Sequence, residues 1–325
     1  KVEKMQTFYK FKHCDINVEK NSSSGGAFTM ISDRILESGG VVYGCVLNEK
    51  FNAIHIRAER TEQRDKMRGS KYIQSNISEA FQQIAVDLAN NRKVLFSGTP
   101  CQVNAIINYL KIKKICMDNF FSVEVICHGV GSEKFFHDYI KDKEKKYHSK
   151  AVNVKFRAKY RVGQKQDMAI IFENDKEYHA ASTNLDWFFS VYLKNLILRP
   201  SCYECKYAQE HRVSDISVAD LWKENEIGDW SLVICNTKKG KTLLNGNDCG
   251  ELMVINKSEV YQPHMKSPCN VPSNRKVFWQ IYLKKGYKEV QRYIGNNTLK
   301  SKTKYVFAHM LRISHVDKWV KKIRR

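Results

Sequence analysis

The chain has 325 residues, 42% of them hydrophobic and 11% aromatic, enough to bury a sizeable core in one large domain or two. Fifty-five Lys and Arg against 34 Asp and Glu give a formal charge of +21, which favours anionic partners: nucleic acid, an acidic electron carrier, a phosphorylated substrate or a membrane surface. No apolar run approaches the ~20 residues of a membrane span, no secretory h-region opens the chain, and no nucleic-acid-binding spacing is present, so a cytoplasmic protein that does not bind nucleic acid is expected.

The first half alternates strand-like and helix-like segments. "GGVVYGCVL" (39–47) and "AIHIRAE" (53–59) are β-branched and apolar between Gly and Asn, and predict strands. Residues 76–93 predict an amphipathic helix, with Ala80, Ile84, Val86 and Leu88 as its apolar positions. "KVLFSG" (93–98) predicts a buried strand, and 100–112 a helix whose Pro100 suits the first turn. A strand at 121–127 leads through "HGVGS" to a helix at 133–148. This order predicts α/β units on a largely parallel sheet.

From residue 151 the pattern changes. "VNVKFRAKY", "DMAIIFEN" and "KEYHAAS" predict an antiparallel meander, followed by a helix at 185–196. "DISVADLW" and "WSLVICNT" again predict strands, and the tail predicts two helices, "NRKVFWQIYLKKGYKEVQRYIG" and about 301–325. The expected fold is therefore α/β: a mixed sheet with α/β units in the first half, an antiparallel insertion and a helical C-terminal extension. One composite domain over residues 1–273 and a basic helical extension over 274–325 are expected. In the last segment Val306, Met310, Ile313, Val320 and Ile323 fall near helical spacing beside a run of Lys and Arg. Such a helix packs on its own domain or makes peripheral contact with an anionic membrane.

Ten cysteines in a long chain without an export signal point to metal binding or chemistry more than to disulfides. Cys45 and Cys235 lie in apolar runs and predict buried small hydrophobes. Cys202 and Cys205 form a close pair, and Cys101 and Cys127 each follow a predicted buried strand, at the sheet edge where α/β proteins build their sites. One close pair and two singles fit a cubane cluster at least as well as structural zinc, which more usually uses two close pairs. Four unrelated cysteines fit the spacing too. "NSSSGGAF" (21–28) and "MRGSKYIQS" (67–75) offer hydroxyls, glycines and a lysine suited to an anion, or simply a helix cap and a turn.

The segments "NSSSGGAFTMISDRILESGGVVYGCVL", "RGSKYIQSNI", "VLFSGTPCQVNAI", "ICHGVGS", "LRPSCYECKY" with "RVSDISVADLW", and "SLVICNTKKGKTLL" occur in an order that resembles the coenzyme F420 hydrogenase/dehydrogenase beta-subunit family. The likeness covers about residues 9–245 and is greatest to single-chain bacterial members associated with polysaccharide biosynthesis. It implies a flavin-binding fold with a [4Fe–4S] cluster held by Cys101, Cys127, Cys202 and Cys205. It implies an FAD lined by Ser23, Ser24, Gly25, Gly26, Gly69, Ser70, Lys71 and Tyr72, and catalytic roles for Thr99 and His128. An iron–sulfur flavoprotein is then expected, exchanging electrons between an acidic carrier such as ferredoxin, or a deazaflavin, and a small organic substrate such as a sugar. Where many relatives carry "GDFWG" this chain has "ADLWK" (219–223), and Gly131 replaces a proline common in "CHGVPS". Two alternatives remain: a non-catalytic electron-transfer or scaffold subunit, and a zinc-stabilised binding protein.

Overall fold

The computed structural model describes residues 6–159, 167–180, 186–222, 230–246, 248–294 and 303. The helix expected at about 301–325 and most of the "ADLWK" to "IGDW" connection lie outside the described residues. In chain order the elements are β1 (Thr7–His13), α1 (Ile16–Asn21), α2 (Ala27–Glu37), β2 (Val41–Leu47), β3 (Ala53–Ala58), α3 (Thr61–Asp65), α4 (Ser78–Ala89), β4 (Val94–Gly98), α5 (Pro100–Ile112), β5 (Phe120–Val125) and α6 (Glu133–Tyr147). There follow β6 (Ala151–Ala158), β7 (Asp167–Phe172), β8 (Glu177–His179), α7 (Trp187–Leu193), β9 (Ile216–Asp220), β10 (Ser231–Cys235), α8 (Lys238–Leu244), β11 (Gly250–Ile255), α9 (Arg275–Lys285) and α10 (Tyr287–Tyr293). The expected mixed α/β class is what the chain adopts.

The chain divides into two compact units. One is built from residues 6–130, Lys159 and the described part of 204–269; the other chiefly from 131–158, the described part of 167–203 and 270–294. The first unit is an eight-stranded sheet in the order β11-β1-β10-β9-β5-β4-β2-β3. Its centre, β9-β5-β4-β2, is parallel, and the flanking pairs are antiparallel.

Period-two alternation sends side chains to two helical layers. Val42 and Val46 pack with Met30 and Ile31 of α2 and Leu243 of α8. Val41 and Tyr43 pack with Ile84 of α4 and Val103 and Ile106 of α5. Val86, expected on the apolar stripe of α4, is instead 59% exposed. At 100° per residue it stands away from the face shared by Ala80, Ile84 and Leu88.

In the second unit β6, β7 and β8 form the expected antiparallel meander. Phe136 of α6 stacks on Phe156 of β6, and Phe135 contacts Phe278, Tyr282 and Tyr287 of the C-terminal helices. The first tail helix is broken in two at Gly286, whose φ of +83° ends α9 before α10 begins. Among the described residues no helix is long and apolar enough to cross a membrane.

Candidate active site and metal centre

The parallel strands of the first unit fix which loops share an edge. β2, β4, β5 and β9 end there, and β10 begins there, with Ser231 opposite Asp220. β1 also ends there, Phe11 pairing with Ser231, and β3 starts there, Ala53 pairing with Leu47. Helix-dipole ends and free backbone donors accumulate along such an edge.

The two turns expected to line a flavin meet directly. Ser23 Oγ lies 3.0 Å from Ser70 Oγ and accepts from the Ser70 backbone N–H at 2.8 Å. Ser24 Oγ is 2.7 Å from Ser231 Oγ at the start of β10, and the Gly25 carbonyl accepts from His13 N at 2.8 Å. Gly26 takes a φ of +88° as the residue before α2, and a Cβ there would stand 3.1 Å from carbons of His13 and Val18. Gly69 also has a positive φ, +80°, but a Cβ there would meet nothing within 4 Å, so this turn borders open space. Lys71 Nζ donates to the carbonyls of Lys66, Met67 and Arg68, closing the turn after α3, and burial pushes its pKa down to about 8. Its donors hold the turn in shape, and its charge is what remains for an anion. Tyr72 is half-buried on the same loop.

Beside these turns lies a cluster that no motif announced. His55 of β3 pairs across with Cys45 of β2 and stacks on Phe96 of β4 at 5.1 Å. Its Nε2 donates to the Ser97 carbonyl at 3.0 Å, and its buried Nδ1 has no partner among the described residues. Burial pushes its pKa down to about 4, which keeps the ring neutral.

Cys101 is exposed on the first turn of α5, just past β4. Thr99 Oγ1 lies 3.1 Å from its sulfur and donates to Gln102 Oε1 at 3.0 Å, while Gln102 Nε2 donates to Ser75 Oγ at 2.7 Å. Cys127 is half-buried two residues beyond β5, the parallel neighbour of β4. Cys202 closes the short 3-10 turn Pro200–Cys202, and Cys205 follows it. Arg275 Nε donates to Tyr203 Oη at 2.8 Å and its Nη2 to the Leu198 carbonyl at 3.1 Å, which secures the turn before Cys205.

Two side-chain ties bind the segment after Cys205 to the helix that carries Cys101 and the strand that precedes Cys127. Asn104, one turn along α5 from Cys101, donates to Tyr207 Oη at 2.8 Å. Arg212 donates to the Tyr207 and Gln209 carbonyls at 2.9 Å and pairs with Glu124 of β5. Both partners of that pair are buried. Burial raises the Glu124 pKa, against the pull of Arg212 and Ser217.

His128, beside Cys127, meets two residues that sequence reasoning missed. Its Nδ1 is 2.8 Å from His264 Nε2, and the two rings stand edge-on with centroids 4.6 Å apart. The buried Cys269 donates from Sγ to the His128 carbonyl at 2.9 Å and lies 3.9 Å from His264 Nδ1. Burial pushes the His264 pKa below the ordinary imidazole value.

Comparison with known proteins follows the fold. The chain matches 89% of its length to 90% of a chain from a solved structure described as a xenon derivatization of the F420-reducing [NiFe] hydrogenase complex from Methanosarcina barkeri, with a TM-score of 0.53 and 17% identity. At that identity the likeness concerns the fold alone. No curated protein matches the chain. The family model for the C terminus of the coenzyme F420 hydrogenase/dehydrogenase beta subunit matches residues 91–259, over half of the chain and including all four cysteines and both ties. The chain belongs to the coenzyme F420 hydrogenase/dehydrogenase beta-subunit family.

Proposed function

We propose that this chain is an oxidoreductase subunit that exchanges electrons between a low-potential carrier, a ferredoxin or a deazaflavin, and an organic substrate. Membership of a hydrogenase/dehydrogenase family supports the general reaction class. Cys101, Cys127, Cys202 and Cys205 would hold a [4Fe–4S] cluster, whose chemistry calls for four thiolate donors. The observation that carries this reading is the pair of ties, Asn104–Tyr207 and Arg212–Glu124, that fasten the Cys205 segment to the Cys101 helix and to the strand that precedes Cys127. The joined turns at Ser23–Gly26 and Gly69–Tyr72, open beside Gly69, fit the diphosphate of an FAD. When bound, a cluster passes single electrons and a flavin passes a hydride equivalent.

The protein's own part is positioning and proton handling. Thr99 places a hydroxyl on the Cys101 sulfur, and His128 follows Cys127 in the chain. These are the groups proposed to carry protons. The +21 charge suits an acidic carrier and an anionic substrate, with a sugar or polysaccharide precursor as the substrate class. That last assignment rests on the likeness to single-chain members of polysaccharide loci.

Anaerobic purification with iron, zinc and flavin analysis tests the reading. About four irons and one flavin per chain are expected, with iron lost and the fold kept in Cys101→Ser and Cys205→Ser. Iron without flavin would favour a non-catalytic electron-transfer or scaffold subunit. Zinc at these cysteines, with no iron and no colour, would favour a zinc-stabilised binding protein.

A further inference from the structure

His128, His264 and Cys269 bring one donor atom each to within 4.8 Å of one another. We infer that these three side chains form a second metal centre, apart from the four cysteines, for a zinc-class divalent ion with one coordination position left for water or an anionic oxygen. This goes beyond the proposed function and makes His128 a ligand rather than a proton carrier whenever the ion is bound.

The donor chemistry selects the ion. Two imidazoles and a thiolate suit zinc and its neighbours, whereas magnesium and calcium take oxygen. Three protein ligands with an open fourth position are the pattern of catalytic zinc, while closed structural sites use four. The geometry is close to what an ion needs. Two nitrogens bound at ~2.0–2.1 Å around a tetrahedral zinc stand about 3.3 Å apart; here they are 2.8 Å apart, so the rings part by about half an ångström. One donor atom from each side chain, Cys269 Sγ included, lies within 4.8 Å of the others, against about 3.6 Å for a tetrahedral nitrogen–sulfur edge.

The surrounding fold holds the two histidine segments before any ion arrives. His264 lies in the 3-10 turn Pro263–Met265, closed by Met265 N to Gln262 O and Lys266 N to Pro263 O. Met265 is buried against Phe8, Leu232 and Ile234, and Gln262 Nε2 donates to the Asp220 carbonyl at the end of β9. On the other side Ile126 N donates to the Val218 carbonyl, which fixes the chain just before Cys127 and His128. Preorganisation of this kind lets a site gain affinity without ordering a loop. Binding is balanced by loss of one proton. The Cys269 S–H bond breaks as the sulfur–metal bond forms, and the proton between the two imidazoles moves to an outer ring nitrogen.

Zinc K-edge X-ray absorption on the full, anaerobically purified chain equilibrated with one equivalent of zinc sulfate tests this, because it is blind to iron. The expected result is about one zinc per chain retained through desalting, with one sulfur at ~2.3 Å and two imidazole nitrogens at ~2.0–2.1 Å. Cys269→Ser should remove the sulfur from that shell, and His264→Gln one imidazole. Each should weaken retention by at least ~10-fold with iron content unchanged. Loss of zinc on desalting would overturn the inference. So would a shell of several sulfurs, which would put the zinc at Cys101, Cys127, Cys202 and Cys205, or equal retention by Cys269→Ser. The shell in the parent protein decides the matter even where a variant fails to fold. Iron and flavin in the same sample report separately on the proposed function.

Discussion

The carboxyl edge of the large sheet and the aromatic interior of the second unit bury polar groups to different ends. Along the sheet edge, polar side chains join segments distant in sequence: the buried ion pair Arg212–Glu124 spans 88 residues, and the part-buried contact His128–His264 spans 136. In the second unit the fully buried Asp186 serves local architecture. It caps α7 through Phe189 N at 2.9 Å and accepts the hydroxyls of Tyr139 and Tyr178 at 2.7 and 2.9 Å. Lys143 lies over the Tyr178 ring at 3.4 Å, and burial pushes its pKa down to about 8. Phe136, Phe156, Phe188 and Tyr192 pack around that hub without reactive groups. One region uses polar burial to hold reactive side chains in place; the other uses it to specify a core.

If that contrast is right, Arg212→Ala should have the largest effect, and a double one. It strands Glu124 in the interior, at a cost of about 3–5 kcal/mol, moderated where the carboxyl takes up a proton. It also frees the Cys205 segment, so iron content should fall along with the urea midpoint. Full iron content in a destabilised Arg212→Ala would show that the tie serves stability alone. Asp186→Ala should cost about 2–4 kcal/mol by leaving two tyrosine hydroxyls and a helix N-terminus unsatisfied. Its iron and flavin content should match the parent's once the protein is folded. Cofactor loss in this variant would erase the distinction between the two regions.

The smallest effect belongs to His55. Its folded pKa of about 4 lies below the ordinary 6.5, so the unfolded chain binds the proton first as pH falls. Its contribution is therefore fully present above pH 6.5 and is lost as pH falls toward 4. The loss is about 1.4 kcal/mol at pH 5.5. Chemical denaturation of His55→Gln at pH 7 and pH 5.5 should show that part of the slope missing. An unchanged slope would mean that His55 is protonated in the folded protein and that its unpartnered Nδ1 is not a neutral acceptor.

Much of the central fold can be read from local pattern. α5 begins at Pro100 and ends at Ile112, as expected, because Pro at the first turn and Thr99 before it are local signals. β2, β3 and β4 are legible for the same reason. β1 and β11 are not: "TFYKFKH" interleaves lysines with aromatics, and the residues it pairs with lie 220 or more positions away. The break at Gly286 was hidden because a lone glycine in an otherwise helical pattern is often tolerated. At the site, Ser23 and Ser70 stood in separate suspected turns, and only the fold shows that they touch. His264 and Cys269 had no such flag, since their shared partner lies in another motif. Locally encoded pieces are visible in sequence, while pieces defined by a distant partner need the fold.

The placement of β1 between β10 and β11 also bears on how the chain is made. A ribosome adding about 5–20 residues each second needs on the order of 10–50 s to go from His13 to Ile255. For most of that interval the segment lacks both of its neighbours, exposing Phe8 and Phe11, which the finished sheet buries. Lys10 and Lys12 then act as gatekeepers, discouraging the nascent strand from pairing with another copy. Replacing them with threonine would suit the completed sheet and harm its biosynthesis: refolded protein of ordinary stability, but a larger insoluble fraction during expression.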